Sequence, residues 1–194
     1  VTEGRPDGTA RQIIDTLIGL DTLADLPRTG WLLRGVRPCE SIADHTAGVG
    51  FCVMLLVDAL RRDGVEVDGE RALRMALVHD APEARTGDVP MPQKPPAVDA
   101  ALKRHEAELA AALLPAELAE VWREMEAGET LEARVVKAAD KIQMMTKALV
   151  YGQQGRGDLR EFWQNEKNFR DRGLAIARAC FDELRDRHAA ADRR

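Results

Sequence analysis

The chain has 194 residues and a formal net charge of −5, with 45% hydrophobic and 4% aromatic residues. That length supports one domain with a sizeable core. Acids and bases are interspersed, which leaves no basic footprint for a nucleic acid polymer. The longest apolar run, Phe51 to Val57, is too short to span a bilayer by itself. Three widely spaced cysteines, Cys39, Cys52 and Cys180, fit a reducing cytoplasm better than a disulfide framework. The polar opening VTEGRPDGTARQ does not read as a signal peptide.

Abundant Ala, Leu, Arg and Glu favour helices, and few runs are β-branched or aromatic enough for strands. Residues 1–8 are polar with Gly and Pro and are expected to fray. A first helix runs from Thr9 to about Leu26 on the spacing of Ile13, Ile14, Leu17, Ile18 and Ala24, and Pro27 ends it. The segment RTGWLLRGVRPCE, residues 28–40, is a loop or broken helix carrying three arginines and Trp31.

Ser41 with Asp44 resembles a capping box, and the helix it opens should reach Asp63, with Gly64 as its C′ glycine. His45 lies in its first turn. Gly48 and Gly50 follow, each costing about 1 kcal/mol in a helix interior, which predicts a close backbone approach. Asp68 caps a helix over about 70–81 with Leu73, Ala76 and Leu77 inward. It leads into His79, Asp80 and, after Pro82, Glu83. TGDVPMPQKPP, residues 86–96, must turn or extend.

Helices then follow over about 98–114, from Pro115 to near Gly128, from Thr130 to about Tyr151, and from about Leu159 to His188. The apolar excess on the last of these can serve as core or as a dimer face. The expected architecture is a single all-α domain of six or seven helices over 9–190.

Asp140 lies on the apolar stripe Ala133, Val136, Met144, and a buried carboxylate is costly without a partner. Lys141 and Lys137 sit about 100° and about 300° away around the helix, so neither is placed squarely on its face. A divalent cation would satisfy His45, His79, Asp80 and Asp140 together. Two imidazoles and two carboxylates suit Co²⁺, Mn²⁺, Fe²⁺, Ni²⁺ or Zn²⁺. Taken singly, each residue is more often an ordinary core or hydrogen-bonding group; their order and the Glu83/Asp88 turn strengthen the set.

H…HD…D in an all-α chain resembles the signature of HD-domain phosphohydrolases. ESIADH (40–45), HDAPEARTGD (79–88) and VKAADKIQMM (136–145), with RTGWLLRGV (28–36) upstream, are similar to bacterial 5′-deoxynucleotidases and their HD-domain-containing relatives. The resemblance covers most of residues 10–175. It implies one metal on His45, His79, Asp80 and Asp140, hydrolysis of deoxyribonucleoside 5′-monophosphates, activity with cobalt or manganese, and a homodimer. Dinuclear HD enzymes, the oxygenases included, need extra histidines before the last aspartate. Between Asp80 and Asp140 this chain offers only His105, which with His188 is expected to face solvent.

On that scheme Arg28 neutralises the phosphate, with Arg34 or Arg37 as alternatives, and Trp31 packs on the sugar. Glu83 orients or deprotonates the attacking water, or protonates the leaving oxygen. Asp88 accepts from the 3′-hydroxyl. Val89, Pro90 and Met91 line the sugar, and a rigid proline there can exclude a 2′-hydroxyl. Little reads the base, which predicts broad base specificity. Cys39 is read as packing. Two alternatives are an HD phosphohydrolase acting on another small phosphate ester or nucleotide, and a non-catalytic nucleotide-binding HD module.

Overall fold

A computed structural model describes residues 7–90 and 96–191. Among them there are seven helices of ten residues or more, three single-turn helices and no strand. The long helices are α1 (Asp7–Asp21), α3 (Ile42–Arg62), α4 (Gly69–Val78), α6 (Pro96–Leu113), α7 (Ala116–Ala127), α8 (Leu131–Gln153) and α10 (Ala175–Ala191). The short ones are α2 (Thr29–Leu32), α5 (Glu83–Thr86) and α9 (Arg160–Gln164).

The local signals in the sequence set most boundaries. Ser41 Oγ accepts from Asp44 N while Asp44 Oδ2 accepts from Ser41 N, a complete capping box at the head of α3. Gly64 after α3 and Gly128 after α7 take the positive φ that a C′ glycine allows. Asp68 and Thr130 cap α4 and α8 through their side chains.

Helix α8 is the central rod, buried on nearly every side, with α3, α4, α7 and α10 packed around it. By length and composition α3 is apolar enough to cross a membrane. Here it lies against α4 and α8 with Val49, Val53, Leu56 and Val57 in the core. A lone antiparallel bridge, Pro27 to Ser41, ties the two ends of the arginine loop together. Its hydrogen bonds are Arg28 N to Glu40 O (3.0 Å) and Ile42 N to Leu26 O (2.9 Å). Arg28, Trp31 and Glu40 are thereby held beside the start of α3.

Several expectations change. The apolar stripe of α1 exists but points outward: Ile13, Ile14, Leu17 and Ile18 are all more than half exposed. The helix instead ends at Asp21, and Leu23 in the following 3₁₀ turn supplies the buried contact. On α4 the inward face is Ala72, Met75, Ala76 and Val78, and Leu77 is exposed. The close approach at Gly48 is made by a side chain: a Cβ there would lie 2.9 Å from the Gln143 Cγ and Nε2 atoms.

The long final helix is broken. Asn165 caps a 3₁₀ turn, Glu166–Phe169, and Arg172 and Gly173 take positive φ before α10 begins. On α10, Ala177, Phe181 and Leu184 are core residues against α8, not a free face. Of the segment 1–8, expected to fray, residues 1–6 lie outside the described residues, and α1 starts at Asp7.

Candidate metal centre and active site

Three elements bring the predicted cluster together. The capping box fixes the first turn of α3, which carries His45. The turn that ends α4 presents His79 and Asp80, and it is pinned by Trp122 Nε1 donating to His79 O at 3.1 Å. Mid-α8 presents Asp140. The ligand atoms of His45, His79 and Asp140 lie within 4.8 Å of one another. His45 Nε2 is 3.4 Å from Asp140 Oδ1 and 3.7 Å from Asp80 Oδ2, and His79 Nε2 is 3.1 Å from Asp80 Oδ2.

The outer ring nitrogens show why a cation fits. His79 Nδ1 donates to Ala76 O at 2.7 Å, and His45 Nδ1 meets Gln143 Oε1 at 2.6 Å. Both acceptors are carbonyl-type oxygens, so each neutral imidazole carries its proton on Nδ1 and turns an Nε2 lone pair inward. The two Nε2 atoms are 3.4 Å apart. Two lone pairs beside two carboxylates repel unless positive charge lies between them. The residues present therefore suit a divalent metal, and His45, His79 and Asp140 can hold one.

The titration directions agree. Burial lowers the pKa of His79, but the carboxylates of Asp80 and Asp140 outweigh it and raise it. Burial raises Asp80, and His79 and Arg28 more than reverse this. For Asp140, burial is outweighed chiefly by Lys141 and His45, which hold it well below the usual carboxylate range.

Asp80 and Asp140 open onto a cavity of about 540 Å³. Arg28, Glu83 and Asp88 line it beside them, as do Trp31, Val89 and Pro90. Met91 lies outside the described residues. Arg28 Nη1 is 3.2 Å from Asp80 Oδ2 and 3.9 Å from Glu83 Oε2. Burial pulls the Arg28 pKa down, but Asp80, Asp88 and Glu83 raise it further, so the guanidinium stays charged. Arg34 also lines the cavity, paired with Glu161, whereas Arg37 is exposed and absent from its wall. Asp88 Oδ2 accepts from Thr29 N (2.6 Å) and Gly30 N (3.4 Å), so one carboxylate joins the Thr-Gly-Asp turn to α2.

Trp31 is both core and wall. It is 2% exposed, stacks on Phe162 with ring centroids 4.5 Å apart, and donates from Nε1 to Glu40 Oε1 at 2.8 Å. Cys39 Sγ donates to Arg28 O at 3.7 Å, and burial, then Glu40, pushes its thiol pKa up, which suits packing rather than nucleophilic attack.

Other contacts were not foreseen. Lys141 reaches Asp140 Oδ2 at 3.2 Å because its flexible stem spans the offset around the helix. Lys137 turns away to Glu126. His105 is exposed as expected, but His188 stacks on Trp163 with centroids 3.9 Å apart. Glu40 and Gln143 form a part-buried relay behind His45, for which the i, i+3 spacing of Asp140 and Gln143 was the one available signal. The far cavity wall comes from α9 and the 3₁₀ turn after it, through Phe162, Asn165, Lys167 and Asn168.

Helices that converge on a His/Asp cluster in this order define an HD-type metal centre. Residues 20–176 match the HD domain family, and the chain belongs to it. The human protein named 5′-deoxynucleotidase HDDC2 is 32% identical over 147 residues, which cover 73% of this chain and 69% of that one. The Saccharomyces cerevisiae protein named 5′-deoxynucleotidase YGK1 is 33% identical over 148 residues, covering 70% of this chain and 65% of the yeast protein's length. A conserved hypothetical protein from Pyrococcus furiosus superposes with a TM-score of 0.74 at 34% identity, covering 91% of this chain and 99% of that one.

Proposed function

We propose that the protein is a metal-dependent 5′-deoxynucleotidase that hydrolyses deoxyribonucleoside 5′-monophosphates to deoxynucleoside and phosphate. The observation that carries this reading is one cavity whose floor holds Asp80 and Asp140 beside Arg28 and Glu83. The names of the human and yeast relatives support the substrate class. Asp80 joins His45, His79 and Asp140 as the fourth ligand. Bound there, a Co²⁺, Mn²⁺, Fe²⁺, Ni²⁺ or Zn²⁺ ion supplies Lewis-acid stabilisation of the phosphoryl group and acidifies the attacking water.

The chain's own groups do the rest. Arg28 offers a buried, charged guanidinium to the phosphoryl oxygens while keeping Asp80 ionised. Glu83, one turn beyond Asp80, is the proton-transfer group for water or leaving oxygen. Trp31 and Val89 pack on the sugar. Asp88, anchored through Oδ2, turns its other oxygen to the 3′-hydroxyl. Pro90 leaves no room for a 2′-hydroxyl.

The protein acts on a soluble nucleotide in the cytoplasm as a homodimer. The exposed apolar faces of α1 (Ile13, Ile14, Leu17, Ile18) and α3 (Phe51, Met54, Leu55) give a surface for its partner copy. Light scattering of Leu17→Lys, expected to be monomeric, tests that arrangement.

The activity test is phosphate release from deoxy and ribo 5′-monophosphates of all four bases, after stripping metal and restoring Mn²⁺, Co²⁺ or Zn²⁺. Release from the deoxy series only, with no base preferred by as much as ~100-fold (about 2.7 kcal/mol), is the expected result. Release from other phosphate esters alone would replace the substrate. Binding of nucleotide without turnover would identify a regulatory module.

A further inference from the structure

We propose that Glu40 is a positioning residue that sets the tautomer of His45 through Gln143. The inference rests on His45 being a metal ligand. Glu40 ends the arginine loop, and its side chain is 2% exposed. Its carboxylate accepts from Trp31 Nε1 (2.8 Å) and Gln143 Nε2 (3.1 Å), and Lys147 Nζ lies 3.4 Å away. Its backbone N–H donates to the Tyr151 hydroxyl at 2.9 Å.

A carboxylate only accepts, so Glu40 decides which end of the Gln143 amide faces it. The NH₂ group turns to Glu40 and the oxygen turns to His45 Nδ1 at 2.6 Å. An amide oxygen cannot donate, so the imidazole proton resides on Nδ1 and the Nε2 lone pair faces His79 and Asp140. The arrangement has its own space: a Cβ at position 48 would come within 2.9 Å of the amide, and the residue there is glycine. The same carboxylate grips the indole of Trp31, which lines the cavity. Glu40 thus joins the metal ligand to the sugar-packing wall.

Glu40→Gln supplies one acceptor and one donor where there were two acceptors. The Trp31 indole is buried, can only donate and keeps the acceptor, while Lys147, on a flexible and partly exposed stem, swings to solvent, so the new NH₂ faces Gln143. The Gln143 amide then turns over and presents NH₂ to His45 Nδ1, which forces the proton onto Nε2. In the double variant Glu40→Gln/Gln143→Glu, the introduced carboxylate accepts from both sides and Nδ1–H returns.

The test uses long-range ¹H–¹⁵N spectra of the full-length, metal-free protein labelled at histidine, together with calorimetric Mn²⁺ titration. Wild type should show Nδ1–H at His45. Glu40→Gln should show Nε2–H and bind Mn²⁺ about 10- to 100-fold more weakly. The double variant should recover the Nδ1–H tautomer and most of the affinity. An unchanged tautomer in Glu40→Gln, or a loss that the double variant does not restore, would overturn the inference and leave Glu40 a structural tie.

If Glu40→Gln does not fold, Gln143→Leu and Gln143→Glu carry the test. The first should lose the tautomer preference and metal affinity; in the second the introduced carboxyl shares a proton with Glu40, still accepts from His45 Nδ1 and should keep the Nδ1–H tautomer, and identical tautomer behaviour would overturn the inference. Wild type that binds no metal would sink the proposed function, while the spectra of the metal-free protein would still decide the role of Glu40.

Discussion

The inner ring nitrogens of His45 and His79 face each other across 3.4 Å. Without metal, the neighbouring carboxylates raise the His79 pKa despite its burial, so a proton is the competing occupant. Metal binding must displace it. Mn²⁺ affinity should therefore still be rising with pH above the ordinary imidazole value of 6.5 and level off once His79 is neutral. Calorimetric titrations at several pH values, repeated in buffers of different ionisation enthalpy, should show proton release on the acid side. Asp140→Ala should abolish both the affinity and the release.

Arg28 lies beside Asp80 in the cavity, whereas Arg34 is engaged by Glu161. Arg28→Ala should lower kcat/KM for phosphate release by about 10²- to 10³-fold, the usual loss for one charge-stabilising donor. Arg28→Lys should recover only part, since an ammonium cannot grip phosphate and Asp80 in one plane. Arg34→Ala should leave the rate of the chemical step near wild type, as single-turnover kinetics would show.

Glu83 shares Arg28 with Asp80, its Oε2 lying 3.9 Å from the guanidinium. Glu83→Gln should retain metal, measured by elemental analysis, and lose about 10²- to 10⁴-fold in kcat. Metal loss in this variant would make Glu83 a ligand and remove it from proton transfer.

Gly157 adopts φ +73°, and a Cβ there would lie 2.5 Å from Arg34 O and 2.6 Å from Val36 Cγ2. This is where the turn after α8 docks on the arginine loop, with Asp158 N donating to Arg34 O at 2.9 Å. Gly157→Ala should cost about 1–3 kcal/mol for the backbone alone, with the clash added, in urea unfolding. Gly155→Ala, also at positive φ but in open space, should cost less.

Away from the site, Glu124 joins α7 to α4 through Arg71 and also accepts from Thr130 Oγ1. The Arg71 hydrogen bond leads in lowering its pKa from the ordinary 4.5, against a smaller opposing effect of burial. The contribution is thus fully present above about pH 4.5 and is lost as pH falls through the lowered value. Because Arg71 is nearly half exposed, it should amount to less than about 1 kcal/mol. Glu124→Gln should remove that part of the acid dependence of Tm.

What was legible in the sequence was what single residues dictate locally. Ser41, Asp68, Thr130, Gly64 and Gly128 mark helix ends through their own hydrogen bonds or φ, and the structure has them there. The four ligand candidates could be collected because each stands out against apolar helical neighbours. Direction was not legible. The stripe on α1 has the right period and faces outward, because periodicity says that a face exists and not what covers it. Long-range partners were hidden too. Lys141 meets Asp140 through rotamer reach, and Glu40 meets Gln143 across 103 positions of chain. The break before α10 hangs on Asn165, Arg172 and Gly173, weak signals inside a run of helix formers.

That break has an evolutionary consequence. The reacting end of the cavity is built from α3, α4 and α8, whose core packing tolerates little change. The opposite wall, Asn165 to Asn168, belongs to a short turn bounded by an interrupted helix and largely open to solvent. Substitutions there can retune what the cavity admits at small cost in stability, so descendants of this chain can diverge in substrate while inheriting one unaltered reaction centre.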